Sequence, residues 1–158
     1  MPSRKSAGLL LYRLRHGDLE VLLAHPGGPF FTRKDLGHWT IPKGEVEVGE
    51  ELLETAIREF REEVGVVVDP ASRFLELGSI RQRGGKVVHA WAVQGDYDST
   101  QPIPTSTFEM EWPPHSGKQR KFPELDRLEF FALADARRKL KDTHLPFLDR
   151  LEAALRNE

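Results

Sequence analysis

The chain has no cysteine among its 158 residues. That absence removes disulfides, thiolate zinc sites and cysteine nucleophiles together, and leaves the redox compartment open. Charge imbalance is nearly missing as well: 23 Lys and Arg stand against 25 Asp and Glu, a net −2. So neutral a balance does not suit a nonspecific binder of nucleic acid or of a membrane surface. No apolar run approaches the roughly 18–20 residues that cross a bilayer. Basic residues at the amino terminus precede an apolar run, but that run covers only Ala7 to Tyr12, too short for a signal-peptide core. The expectation is a cytoplasmic protein of one domain spanning residues 1–158, with any anionic partner held locally and no membrane or long nucleic acid required.

What is present is punctuated by turns. Residues 7–14 and 19–25, AGLLLYRL and LEVLLAH, flank a polar RHGD turn and read as a β-hairpin. A loop rich in Gly, Pro and aromatic residues follows. Glu50 to Val64 reads as a helix, with Leu52, Leu53, Ala56, Ile57, Phe60 and Val64 on one apolar stripe and Gly65 where a left-handed cap belongs. Residues 73–83 and 86–98 bracket Gly84 and Gly85 as a second hairpin. Residues 99–123 carry five prolines and read as a long ordered loop or a short edge strand. A last strand, a short helix and a terminal amphipathic helix bearing Leu148, Leu151 and Leu155 complete the chain.

Residues 44–66, GEVEVGEELLETAIREFREEVGV, hold eight glutamates, two arginines and no lysine. At 100° per residue Glu59, Glu62 and Glu63 fall on one helix face within about one turn. Like charges at that spacing cost roughly 0.2–0.5 kcal/mol per pair, so something should compensate. Arg58 can reach Glu54 and Glu62 at i±4, which alone would make an ion-paired solvated face. The other reading is a hard divalent cation held by clustered carboxylate oxygens. Periodicity does not choose between them.

The full spacing does. Gly44, five residues, Glu50, seven residues, then Arg58-Glu59-Phe60-Arg61-Glu62-Glu63-Val64-Gly65-Val66 resembles the Nudix box, G-x5-E-x7-R-E-U-x-E-E-x-G-U with U apolar. Every fixed position is filled, and Phe60 is larger than the aliphatic residue usual at its place. The resemblance implies an α/β/α sandwich with a mixed β-sheet, the box helix on one side and the terminal helices on the other. It implies that Glu59, Glu62 and Glu63 bind magnesium, or manganese, helped by the backbone carbonyl of Gly44, with Glu50 and Arg58 in support. It also implies hydrolysis of a nucleoside diphosphate linked to a further group.

The flanks bear on that group. Residues 37–50, GHWTIPKGEVEVGE, are similar to a stretch of the asymmetric diadenosine tetraphosphate hydrolases. Related stretches occur in Nudix enzymes of RNA 5′ ends and of diphosphoinositol phosphates; nucleoside triphosphates and ADP-ribose are further alternatives. Lys43 is placed to reach a phosphate oxygen. Trp39 either packs under the loop or stacks on a base, packing being the commoner fate. Residues 87–98 resemble the strand that ends in Asp-Tyr-Asp in those hydrolases, and His89 falls where they have a base-stacking tyrosine. Arg81, Arg83 and Lys86 lie near the paired turn, within reach of polyphosphate or simply solvated. In the same resemblance Glu124 matches an additional glutamate near the metals, with Asp126 and Glu109 as competitors. The longer insertion before it adds Lys118, Arg120 and Lys121.

The expected reaction is attack of an activated water on phosphorus, with Glu59, Glu62 or Glu124 accepting the proton. Two other classes share the fold. Nucleotide-sensing Nudix modules usually have a degraded box or an attached DNA-binding domain, and isopentenyl diphosphate isomerases depend on a cysteine. This chain has an intact box and no cysteine, so hydrolase leads.

Overall fold

Successive side chains of a strand point to opposite faces, so a segment apolar at every position is stable only where both faces are covered. Ala7–Tyr12 is such a segment. In the computed structural model, which describes residues 5–158, it lies at the centre of a sheet.

Along the chain, β1 (Lys5–Arg15) and β2 (Asp18–Pro26) form the first hairpin, and β3 (Lys43–Glu45) leads to α1 (Leu52–Val64). The strands β4 (Phe74–Arg81) and β5 (Val87–Gln94) form the second hairpin. Then come β6 (Thr107–Glu111), β7 (Gln119–Pro123), β8 (Leu125–Ala132), α2 (Leu133–Lys139), a 3₁₀ turn (Asp142–His144) and α3 (Leu145–Arg156). The six-stranded sheet runs β4-β5-β1-β2-β8, with β3 paired to β1. Among the described residues its one parallel pair of strands is β1 with β5; β2 takes the end of β1, Tyr12 opposite Val21, and β3 takes the beginning, Ala7 opposite Gly44.

Alternation along β1 divides the core in two. Leu10 and Tyr12 join Trp39, Leu140, Phe147, Leu148 and Leu151 on one face of the sheet. Leu9 and Leu11 join Ala56, Phe60 and Val64 of α1 on the other. The result is the expected α/β/α sandwich with a mixed sheet. The α1 stripe is the expected one: Ala56, Phe60 and Val64 are buried, and Leu52, Leu53 and Ile57 pack against the same cluster. Among the described residues no helix is long and apolar enough to cross a membrane.

Two expectations change. The helix begins at Leu52 rather than Glu50, because Glu51 is extended (φ −82°, ψ 156°) and caps nothing with its side chain. Gly65 does adopt the left-handed conformation, φ 84°, with its N–H on the Arg61 carbonyl. The second change is in residues 99–123, which do not lie along the edge of the main sheet: β6 and β7 pair with each other as a separate hairpin, Phe108 opposite Phe122. The prolines explain both halves of this. Pro102, Pro104, Pro113 and Pro114 lack the N–H that edge pairing needs, while the segments between them are free of proline until Pro123 and close on each other.

Candidate active site

Burial of the α1 stripe turns Arg58, Glu59, Glu62 and Glu63 toward β3 and the loop before the helix. Arg58 is the hub. Its Nε donates to Glu50 Oε2 at 2.7 Å and its Nη2 to Glu50 Oε1 at 3.0 Å, a bidentate pair. Its Nη1 reaches Glu59 at 2.9 Å and Glu62 at 3.2 Å. The expected partner Glu54 is not among its contacts; Glu47, at 3.7 Å, is. The Thr55 hydroxyl donates to Glu50 at 2.6 Å, a supporting contact that the motif spacing did not signal. Hydrogen bonds from Arg58 and Thr55 hold the Glu50 carboxyl down to about 2.

Gly44 is required by contact. A Cβ built there would lie 1.9 Å from the carboxyl carbon of Glu59, so only glycine lets that carboxylate rest against the β3 backbone. Burial pushes the Glu59 carboxyl up against the pull of Arg58. Burial, then the charges of Glu59 and Glu124, push Glu63 up to about 8. Glu124 thereby belongs to the same group of charges. Its main chain sets its place, for its N–H donates to the Ser106 carbonyl at 2.8 Å and its carbonyl accepts from Gly27 N–H at 2.9 Å. Its two competitors are engaged elsewhere. Asp126 contacts His25 Nδ1 at 2.6 Å, and Glu109 sits opposite Lys121 in the β6–β7 hairpin.

Among the described residues no three carboxylate or imidazole groups are closed into a ligand shell. The expected convergence of Glu59, Glu62 and Glu63 is therefore open on one side: Glu59 and Glu62 are drawn to the opposite charge of Arg58. The donors still suit a hard divalent cation. They are all oxygen, they line a cradle that a Cβ would fill, and burial together with their mutual repulsion raises Glu63 to about 8.

Alternation on β3 sends Lys43 to the face opposite Gly44. There it meets Lys86 and Lys141, and the ammonium is brought down to about 8 by burial and then by those two charges, against Glu63 and Glu45. Lys86 pairs with Glu45 at 3.3 Å. His144 is fully buried beneath them. Burial, then Lys43 and Lys141, push its imidazole down to about 3, so it is neutral. Lys141 and His144 had no signal in the sequence: the α2 carboxyl end is brought to β3 by main-chain bonds, Trp39 N–H to Lys139 O at 3.0 Å and Lys141 N–H to Trp39 O at 2.9 Å.

A model of the NUDIX domain matches residues 2–151. The chain belongs to the Nudix superfamily. It is 42% identical over 62 residues to the asymmetrical bis(5′-nucleosyl)-tetraphosphatase of Caenorhabditis elegans, covering 39% of this chain and 41% of that protein. With the mouse enzyme of the same name it shares 30% over 102 residues, 57% of this chain and 64% of the relative. The matched parts thus span less than two thirds of these relatives. Among solved structures, the NUDIX domain of Shewanella oneidensis NrtR complexed with ADP ribose superimposes with a TM-score of 0.68 at 20% identity, covering 98% of this chain and 90% of that one. A C. elegans Ap4A hydrolase binary complex gives 0.63 at 24%, covering 98% and 99%. These structural likenesses establish the fold.

The remaining Nudix candidates are dispersed. Trp39 has no exposed surface; it packs edge-on against His25 and Phe131, centroids 5.0 and 4.9 Å away, and donates to Asp35 at 2.8 Å. The alternative of base stacking is overturned for this structure, because neither ring face is open. His89 is half-buried on the α1 face of β5, its pKa lowered by burial and by Lys5, against Glu76. Arg81 turns onto the Gly85 carbonyl at 3.0 Å and Arg83 pairs with Asp142 at 2.9 Å. Neither arginine joins the carboxylates.

Proposed function

We propose that this chain hydrolyses a phosphoanhydride bond in a nucleoside diphosphate-linked substrate with magnesium, or manganese, as cofactor, and that the substrate is a dinucleoside polyphosphate such as diadenosine tetraphosphate. The observation that carries the reaction is the crowding of Glu63 with Glu59 and Glu124 against the Cβ-less wall of Gly44. Glu59, Glu62, Glu63, Glu124 and the Gly44 carbonyl would hold the cation. When bound, it supplies neutralisation of charge on the phosphate oxygens and a lowered pKa for water.

The protein groups divide the rest. Arg58 and Glu50 fix the loop against the helix, and Lys43 binds a nonbridging phosphate oxygen as a point charge. Water oxygen forms a bond to one phosphorus, the bridging P–O bond breaks with its electron pair leaving on the departing phosphate, and a carboxylate takes the water's proton. Of Glu59, Glu62 and Glu124, the first two already accept hydrogen bonds from Arg58. Glu124 is exposed and its carboxylate has no hydrogen-bond partner among the described residues, so we assign it as the base. The substrate class rests on the similarity of residues 37–50 to the tetraphosphate hydrolases and on the identity with the animal tetraphosphatases. An ADP-ribose-type substrate is the second reading, favoured by the fit to the NrtR domain.

The test is a panel of dinucleoside polyphosphates, nucleoside triphosphates, ADP-ribose and diphosphoinositol phosphates, with products resolved by mass in oxygen-18 water. Magnesium-dependent cleavage of diadenosine tetraphosphate in preference to the rest is expected. No turnover of any member with either metal would overturn the hydrolase and leave a nucleotide-binding module.

A further inference from the structure

On the face of the sheet away from α1, a cleft of about 530 Å³ opens between the β4–β5 turn and the segment after α2, with Gln82, Arg83, Leu140, Lys141, Thr143 and Leu145 among its walls. One short segment of chain, residues 40–44, links its wall to the active site. Thr40 Oγ1 lies 3.3 Å from His144 Nδ1, Lys43 follows three residues later beside Lys141, and Gly44 then touches Glu59.

The polar walls of this cleft carry three cationic side chains, Arg83, Arg137 and Lys141, and one carboxylate, Asp142. Lys141 is half-buried and has no acidic partner within ion-pair distance among the described residues. Arg83, by contrast, is already paired with Asp142. The Gln82 amide is oriented by His144, whose Nε2 is 3.0 Å from Gln82 Oε1. A neutral imidazole has one N–H; placed on Nε2, it donates to Oε1, and Nδ1 faces the Thr40 hydroxyl. The Gln82 Nε2 hydrogens then have no protein acceptor among the described residues. Beside the cleft, Lys141 repels Lys86 and Lys43, of which Lys86 is paired with Glu45, and an anion held by Lys141 would offset that repulsion. No aromatic ring lines the cleft, so it offers a base nothing to stack on.

We propose that this cleft is a phosphate subsite, in which Lys141 and the Gln82 amide hold a phosphoryl group of the substrate beyond the cleaved anhydride, and that His144 is the positioning residue that points the amide donors at it. The inference deepens the polyphosphate reading and rests on it for the identity of the ligand. It makes substrate length, rather than a nucleobase, what this side of the protein senses.

The test uses the full chain and inorganic tripolyphosphate as probe, titrated calorimetrically without metal. Wild type should bind it, more weakly as salt rises. Lys141→Ala should lose about tenfold in affinity, the scale of one charge-assisted hydrogen bond. Gln82→Glu keeps the acceptor for His144 and replaces the amide donors with a carboxylate, so it should bind worse still, with an unchanged melting temperature. His144→Leu should weaken binding, and His144→Gln, which restores an N–H donor, should recover part of it. Lys118→Ala, on the exposed hairpin, is the control for nonspecific charge and should match wild type. With hydrolysed substrates, Lys141→Ala should raise KM for a four-phosphate substrate about tenfold at unchanged kcat and leave that of a two-phosphate substrate alone. Equal affinity of wild type, Lys141→Ala and Gln82→Glu for tripolyphosphate would overturn the subsite. Expected binding in a protein that hydrolyses nothing would instead overturn the hydrolase reading and leave the subsite standing.

Discussion

The two faces of the sheet meet at Lys43 and Gly44, and they carry opposite charge for opposite reasons. On the α1 face, Glu59, Glu62, Glu63 and Glu124 gather with Arg58 beside the first two, and burial, then the charges of Glu59 and Glu124, raise Glu63 to about 8. On the other face, Lys43 and Lys141, with Lys86 beside them, lie near a buried histidine that burial, then the charges of Lys43 and Lys141, push down to about 3. The acidic group comes from α1 plus Glu124; the basic group comes from β3, the turn before β5 and the segment after α2. On the proposed reading, chemistry draws on α1 and Glu124, whereas recognition is assembled from three separate segments. Two adjacent residues of one strand, pointing opposite ways, join them.

This contrast breaks most sharply at Glu63. Replacing Glu63 with Gln should lower kcat by roughly 10²–10³-fold or more while preserving the fold, as measured by steady-state hydrolysis and circular dichroism. Near-normal magnesium-dependent turnover in that variant would end the metal assignment. Glu124→Gln should cost kcat about 10²-fold, and the loss should shrink as pH rises and hydroxide replaces the carboxylate as base. A Glu124→Gln enzyme with the wild-type pH–rate profile would move the base to Glu59 or Glu62.

On the basic side the effect should appear in KM. Lys43→Met should raise KM for a polyphosphate substrate about tenfold, with kcat changed less; a kcat loss as deep as that of Glu63→Gln would merge the two faces into one catalytic unit. Acid separates them again. Glu50, lowered to about 2 from 4.5, contributes stability that is complete above about 4.5 and is lost as pH falls toward 2, on the order of 2 kcal/mol. His144, lowered to about 3 from 6.5, contributes in the same direction but begins to fail earlier, because the unfolded chain takes up its proton once pH drops below about 6.5. A calorimetric melting series from pH 7 to 3 should therefore fall in two stages. Glu50→Gln should flatten only the lower one.

The smallest effect expected is at His89. His89→Ala should leave KM for diadenosine tetraphosphate within about threefold, since a half-buried imidazole offers little stacking surface. A larger loss, read by the same KM measurement, would return base recognition to β5.

What could be read from the sequence was what is local. The box spacing and the 3.6-residue stripe of α1 lie within twenty-three consecutive residues, so the Arg58–Glu50 pair, the Gly65 cap and the face bearing Glu59 and Glu63 were all legible. The helix start was misplaced by two residues because Glu50 and Glu51 have good helical propensity, and only the contact with Arg58 and Thr55 shows why the backbone there is still loop. Trp39 was ambiguous until its neighbours His25 and Phe131 were placed, both far from it in a reading by periodicity. Lys141, Gln82 and His144 left no trace at all, since no short-range pattern links a turn, a helix end and a strand. Their grouping exists only once β1 has paired with β3 and β5.

The split core has an evolutionary corollary. Phe60 and Phe147 are both fully buried, yet they belong to separate clusters on opposite sides of the sheet. A packing change around Phe147 would be transmitted to the Lys141 segment, and one around Phe60 to the glutamates, with the hydrogen-bonded layer of β1 standing between. On the proposed roles, such insulation would let mutations on one side alter what is accepted without disturbing the glutamates on the other.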